Sequence, residues 1–339
     1  MEIQDKKTRL EWVDTAKGIC IIFVIILHIS PLLLSYPENF SNMMTSIRMP
    51  FYYTISGLFI SIHSTFTFVE KKINRLIVPY YFFVLLGNVI LFIVYHIDDT
   101  EFVYTSPLFL AFTENSHKTY QFGAVWFLIS LFVVYIIFLV IKKISKGIVY
   151  KEVIYTLLIC TIGYILGKNT IRIPFYIDSS MTGYFFFYLG YMLNKKTKLL
   201  SRKESKSKLI GMSVFCLILV YLFSEGGKGF YPNEYSCSWI NLFLIGGIGV
   251  YGLLLLSKLI GKVPILTNIG RYSIIYLGTH QYFQFIIERF AITFIDINTY
   301  VFQISELFVV ILLSYISSII MLKYVPYLVA QKDIVHIIR

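Results

Sequence analysis

The sequence predicts an all-α fold: a polytopic integral membrane bundle of about ten transmembrane helices, with both termini in the cytoplasm. Three observations predict it. Of the 339 residues, 57% are hydrophobic and only 14% charged, and mean hydropathy is +0.72; a soluble chain of this length cannot hide so much apolar surface. Apolar runs near the length of a membrane span recur along the whole chain. The basic residues between them alternate from loop to loop.

The predicted spans lie at about 17–35, 49–64, 76–96, 124–141, 153–167, 180–194, 208–223, 238–257, 272–290 and 304–323. The fifth and sixth are short and rich in Gly and Tyr, so tilting or burial among neighbours competes with a lipid-facing place. With the N-terminus inside, 24 of the 30 Lys and Arg fall at the cytoplasmic side. Six fall outside: Arg48, Lys118, Lys168, Arg172, Lys228 and Arg289. That bias is the positive-inside pattern, and omitting a helix would scramble it. The longest outer loop, about 97–123, carries Asp98, Asp99, Glu101 and Glu114.

The net charge of +11 does not point to nucleic acid, because the basic residues sit in short runs between apolar segments. Cys20, Cys160, Cys216 and Cys237 have no metal-type spacing and read as small core residues, so no metal is expected. Lys6, Lys7 and Arg9 before an apolar run mimic a signal peptide, but no small-x-small cleavage site follows. The run reads as a retained first helix. No repeat or soluble region interrupts the chain, so residues 1–339 form one integral membrane domain.

Candidate chemistry begins in VDTAKGICIIFVIILH. On a helix, the eleven residues from Lys17 to His28 span about 16 Å and close to three whole turns, so both share a face. Lys17 then lies at the cytoplasmic interface and His28 near the bilayer midplane, where ionisable groups are costly and tend to mark functional pathways. A buried imidazole bonded to a neighbouring helix is the plain alternative, and Lys17 alone reads as a snorkelling lysine. In the ninth span, His280 stands nine residues beyond Arg271, about 13–14 Å into the membrane. Two histidines at similar depth can line one cavity. Ser56-Gly57, in RMPFYYTISGLF, is either a small-residue helix contact or a narrow passage where Ser56 donates a hydrogen bond. Lys72 and Arg75, in EKKINRL, project together at i and i+3 on the cytoplasmic side. They suit a phosphate-rich ligand from the cytosol, unless they are only a topology signal.

Taken together, these blocks resemble acyltransferase family 3, especially its branch of fucose 4-O-acetylases and related acetyltransferases. LEWVDTAKGICIIFVIILH resembles the family's first-helix signature, MPFYYTISGLFI its aromatic–Ser–Gly block and KKINRLIVPYY its basic cytoplasmic motif. AVWFLISLF with Trp126, GYFFFYLGYML and YLGTHQYF resemble its later blocks, and the likeness covers about residues 9–325. The resemblance implies a bacterial cytoplasmic-membrane enzyme that moves an acyl group, usually acetyl from acetyl-CoA, to a sugar hydroxyl of a cell-surface glycan or its lipid-linked precursor. It makes His28 the catalytic residue, and it puts Lys17, Lys72 and Arg75 at the CoA site. Two departures stand out. Lys17 replaces the arginine of many members, a point charge in place of a fork. Leu131 stands where another branch has a glutamate after the tryptophan, so no carboxylate partner is assigned from that helix.

The implied layout docks CoA at the cytoplasmic face and threads its pantetheine arm past Ser56-Gly57. The thioester then lies near His28, expected as a neutral imidazole acting as general base, with an acyl-histidine relay across the membrane the open alternative. Asp14 lies about 21 Å along the helix from His28, too far to orient it, and is expected to pair with Lys17 or Arg75. His280 is a candidate partner, acceptor binder or proton relay, with core packing equally open. Besides membrane lipid, the expected partner is the glycan or lipid-linked sugar acceptor, and not a nucleic acid. The competing reading is a proton-coupled transporter of a glycan or small solute, disfavoured by the absence of matching halves or paired broken helices.

Overall fold

The computed structural model describes residues 9–29, 37–61, 64–97, 123–201, 203–294 and 296–335. Most of the predicted outer loop at 97–123 lies outside them, with Asp98, Asp99, Glu101, Glu114 and Lys118; so do His63, His117 and His336. Helices account for about four fifths of the described residues: α1 (Glu11–His28), α2 (Glu38–Leu58), α3 (65–97, with a π-helical turn at Ile73–Ile77), α4 (Trp126–Ser145), α5 (Val149–Lys168), α6 (Ile177–Thr197), α7 (Lys206–Phe223), α8 (Asn241–Ile260), the short α9 (Pro264–Arg271), α10 (Ser273–Ala291) and α11 (Tyr300–Tyr324). A two-residue hairpin pairs β1 (Lys228–Gly229) with β2 (Glu234–Tyr235).

Six of these helices, α3, α4, α5, α7, α8 and α11, are long and apolar enough to cross a membrane. On α5, α7 and α11 most of the surface faces outward, and it is apolar: Leu157, Leu158, Phe215, Ile218, Phe308 and Leu312 are exposed. That is the surface a helix shows to lipid rather than to water. The other long helices, α1, α2, α6 and α10, fall short because of the polar and charged side chains they carry, several of them buried. These include Asp14 and Thr15 on α1, Ser46 and Thr54 on α2, Asp178 to Ser180 on α6, and Thr279, His280 and Gln284 on α10. The least apolar of the long helices, α2, α6 and α10, therefore bury much of their polar surface inside the bundle.

Close approach depends on small residues. A Cβ on Gly18 would run into the Leu266 carbonyl of α9, and one on Gly270 into the Asp14 carbonyl of α1. The two helices therefore touch backbone to backbone. Between α4 and α5, Lys142 Nζ donates to Glu152 Oε1 at 2.6 Å and to the Tyr191 hydroxyl at 2.8 Å. The buried carboxylate thus keeps its counter-charge.

Three expectations need correction. The second helix runs Glu38–Leu58, not 49–64, because its polar first half is helical and packs inward, where a hydropathy window is blind to it. Arg48 therefore belongs to the bundle and not to an outer loop. Lys228, also expected as a loop charge, is buried and donates to Ser46 Oγ at 2.7 Å and to the Glu225 carbonyl at 2.6 Å. Burial pushes its pKa down to about 8.

Candidate active site

Two cavities lie end to end inside the bundle. The first, about 360 Å³, opens where α1 begins and α2 ends, and it brings together Lys17, Ser56, Lys72 and Arg75. Its walls are apolar: Ile21, Ile55, Leu128, Leu131 and Ile274. The second, about 190 Å³, lies toward the opposite ends of these helices and is lined by His28, Arg48, Trp126, Phe230, Tyr231 and Gln281. Both are lined by Val24, Met49 and Leu277, which form the partition between them.

At the first mouth the cations are held in different ways. Lys17 Nζ stands 3.6 Å from Asp14 Oδ1, and Asp14 is also bonded by Arg9. Arg75 is not among the partners of Asp14. Lys72 Nζ lies 3.7 Å from the centre of the Tyr135 ring, a cation–π contact that fixes a long side chain at the rim. Arg75 is exposed, on the π-helical turn. Such a turn is a frequent mark of a functional position. Asn74, on the same turn, accepts from the backbone N–H groups of Ile334 and Val335 at 2.7 Å and donates to the Val335 carbonyl at 2.8 Å. Tyr52 donates to the Lys17 carbonyl at 2.9 Å, and Ser56 Oγ donates to the Tyr52 carbonyl at 2.9 Å. Gly57 faces away from the cavity: a Cβ there would strike the Phe187 carbonyl of α6, and Gly190 meets the Thr54 carbonyl in return. Of its two readings, Gly57 takes the helix contact.

At the other end, the hydrogen-bond pattern fixes both imidazoles. The backbone N–H of Ala124 can only donate, and it reaches Gln281 Oε1 at 2.8 Å. The Gln281 amide nitrogen therefore faces His28 Nδ1, 3.2 Å away, and Nδ1 is the accepting atom. A neutral His28 thus carries its proton on Nε2. His280 has the opposite tautomer, since its Nδ1 donates to the Tyr276 carbonyl at 2.8 Å. Its Nε2 is buried without a hydrogen-bond partner among the described residues. The two rings lie 5.2 Å apart. Gln284 ties the helices together by donating to the Ile25 carbonyl at 3.3 Å. Trp126 stacks on Tyr231, ring centres 5.7 Å apart at 24°, so the segment between α7 and α8 roofs this cavity with an aromatic face.

The structure thus joins Lys17, Ser56, Lys72 and Arg75 in one cavity and His28 and Trp126 in the next, with His280 beside His28. Sequence reasoning missed Arg48, Gln281 and Tyr231. Arg48 and Gln281 sit within blocks already singled out, RMPFYYTISG and YLGTHQYF, one residue from Met49 and His280. Tyr231 had no signal beyond lying in a Gly- and aromatic-rich loop.

Six helices fit to cross the bilayer, with the long polar ones among them, make this a multi-pass membrane protein. The chain belongs to acyltransferase family 3: the family model described as an acyltransferase domain matches residues 10–323. It is accordingly an acyl-transferring enzyme of the membrane. No curated protein and no solved structure matches it.

Proposed function

We propose that the protein transfers acetyl from cytoplasmic acetyl-CoA to a sugar hydroxyl of a cell-surface glycan or its lipid-linked precursor, in a bacterial cytoplasmic membrane. The observation that carries this reading is the pair of cavities meeting at Val24, Met49 and Leu277. One has three cations at its mouth and an apolar bore, which suits the phosphates and thin arm of CoA. The other holds an imidazole with its accepting nitrogen defined, which suits a hydroxyl. All ten long helices cross the bilayer in this reading, with both ends cytoplasmic, and the charge bias of the loops supports that orientation.

In the reaction, Met49 swings aside and the thioester reaches the partition. Met49 suits this part because its side chain is unbranched and adaptable. The acceptor hydroxyl displaces the Gln281 amide from His28 Nδ1 and gives its proton there as its oxygen attacks the thioester carbonyl. The C–S bond then breaks, the ester remains on the sugar, and the CoA thiolate takes the proton from His28 Nδ1 and leaves by the first cavity as the free thiol, which returns His28 to its neutral form. Positioning supplies much of the rate, since both reactants are held on either side of one thin wall.

The test is label transfer from isotopically marked acetyl-CoA into membrane glycan, in cells lacking the protein and complemented with wild type, His28→Ala or Lys17→Ala. Label is expected with wild type and absent with His28→Ala. Lys17→Ala should recover label only at a donor concentration about tenfold higher, the cost of one charge-assisted contact. Equal label in all strains would sink the acetyl-CoA reading. Binding of acetyl-CoA to the purified protein separates it from a sugar transporter, which has no reason to bind that donor.

A further inference from the structure

Arg48 is a cation of the cavity lining with no carboxylate partner among the described residues. It lies ten residues along α2 from Glu38, in the interior half of the helix, and lines the cavity that holds His28. Its Nε is sealed from solvent with no hydrogen-bond partner, and among the described residues no carboxylate pairs with it. It shares that cavity with His28, whose ring lies 5.2 Å from that of His280. A guanidinium in a low-dielectric site without an anion is costly. The cost grows during turnover, because a His28 that has taken a proton becomes a second cation beside it. Among the described residues, nothing on the lining of this cavity offers a negative charge: besides Arg48 and His28 it is made of apolar and aromatic side chains and the Gln281 amide.

We infer that the missing anion comes with the acceptor: the sugar that enters the His28 cavity carries a carboxylate or phosphate, and Arg48 binds it. A guanidinium fork matches either group with two parallel hydrogen bonds. The Trp126–Tyr231 stack offers a flat aromatic surface for the apolar face of the sugar ring. Arg48 and the stack then fix the ring from two sides and leave a neighbouring hydroxyl for His28. The inference rests on the acyl-transfer reading for what happens next, but not for the binding itself.

The experiment uses the full-length protein in lipid nanodiscs, as wild type, Arg48→Gln and Arg48→Lys. The probes are p-nitrophenyl glucoside, the corresponding glucuronide, the glucoside 6-phosphate and inorganic phosphate. Binding is read by calorimetry without donor, and acetylation separately with labelled acetyl-CoA. Wild type should bind the glucuronide or the 6-phosphate at least 10-fold more tightly than the neutral glucoside, and which anion wins separates a uronic acid from a phosphorylated sugar. Arg48→Gln should remove that preference, raising KM for the anionic acceptor about 10- to 100-fold, while Arg48→Lys keeps part of it. Equal binding of neutral and anionic glycosides by wild type overturns the inference, as does binding of no anionic probe. A fall in kcat for all acceptors alike, with binding intact, also overturns it and gives Arg48 to the oxyanion of the transfer step. If acetyl-CoA does not bind while Arg48-dependent anion binding persists, the acetyl-CoA reading falls and this one stands.

Discussion

His28 and Lys17 were legible in the sequence because helix arithmetic needs nothing but spacing: eleven residues put both on one face whatever surrounds them. Arg48 and Gln281 were not, for different reasons. Arg48 precedes an apolar run, so a hydropathy window starts after it and assigns it to water. Gln281 matters through one hydrogen bond on each side of its amide, to Ala124 on one and His28 on the other. No sequence pattern encodes such a pair. Its geometry makes a prediction. In wild type, nitrogen NMR of labelled histidines should find His28 protonated at Nε2 and His280 at Nδ1. In Gln281→Leu, His28 should populate both tautomers and kcat should fall roughly two- to fivefold, in proportion to the fraction in the wrong tautomer, with acetyl-CoA affinity unchanged. A single Nδ1–H tautomer at His28 in wild type would contradict the assignment.

At the scale of elements, the long apolar helices were readable from composition, and α5, α7 and α11 behave as composition asks. The start of α2 was not readable, because a polar helix half packed inward looks like a loop until its neighbours are known. The loop charges divide in the same way. Lys228 counted as an outer charge, yet it is inserted beneath the 224–240 segment and bonded to α2 through Ser46. Its pKa in the fold is about 8 against an ordinary 10.5. Below pH 8 both folded and unfolded chains hold the proton, and the fold bears the cost of a buried cation. Between pH 8 and about 10.5 the folded chain sheds it first, so stability rises with pH across that window. Thermal unfolding in detergent should show a gain of about 2 kcal/mol from pH 8 to 9.5, and Lys228→Gln should flatten the slope. A second element-scale prediction concerns the π-helical turn. Asn74→Ala frees residues 334–335 from the turn that carries Arg75, and it should raise KM for acetyl-CoA several-fold with kcat within twofold, as expected for loss of about 1 kcal/mol of binding. An unchanged KM would make Asn74 a structural clamp only.

At the scale of the whole molecule, the helical membrane class followed from bulk hydropathy, which no local detail can reverse. The two-cavity layout did not follow, because it depends on which helices meet: α1, α2, α4 and α10 contribute to both chambers from four distant stretches of chain. The partition of Val24, Met49 and Leu277 has a consequence beyond chemistry. In the proposed function, a bore that admits the arm of a cofactor from one side and a sugar from the other would, when open, be an ion leak across an energised membrane. Each proton that slips through releases about 2.3 kcal/mol per 100 mV. On that proposal the three apolar side chains shared by both cavities would serve as electrical insulation, shutting the bore by keeping it dry. Cells making Met49→Gly should depolarise, as read by a voltage-sensitive dye, and should grow poorly even with His28→Ala in the same chain, since the leak needs no catalysis. A normal membrane potential in Met49→Gly would mean that the seal lies elsewhere. On the proposed function, the time the wall stands open would then bound turnover, because each transfer event would expose the cell to a short circuit.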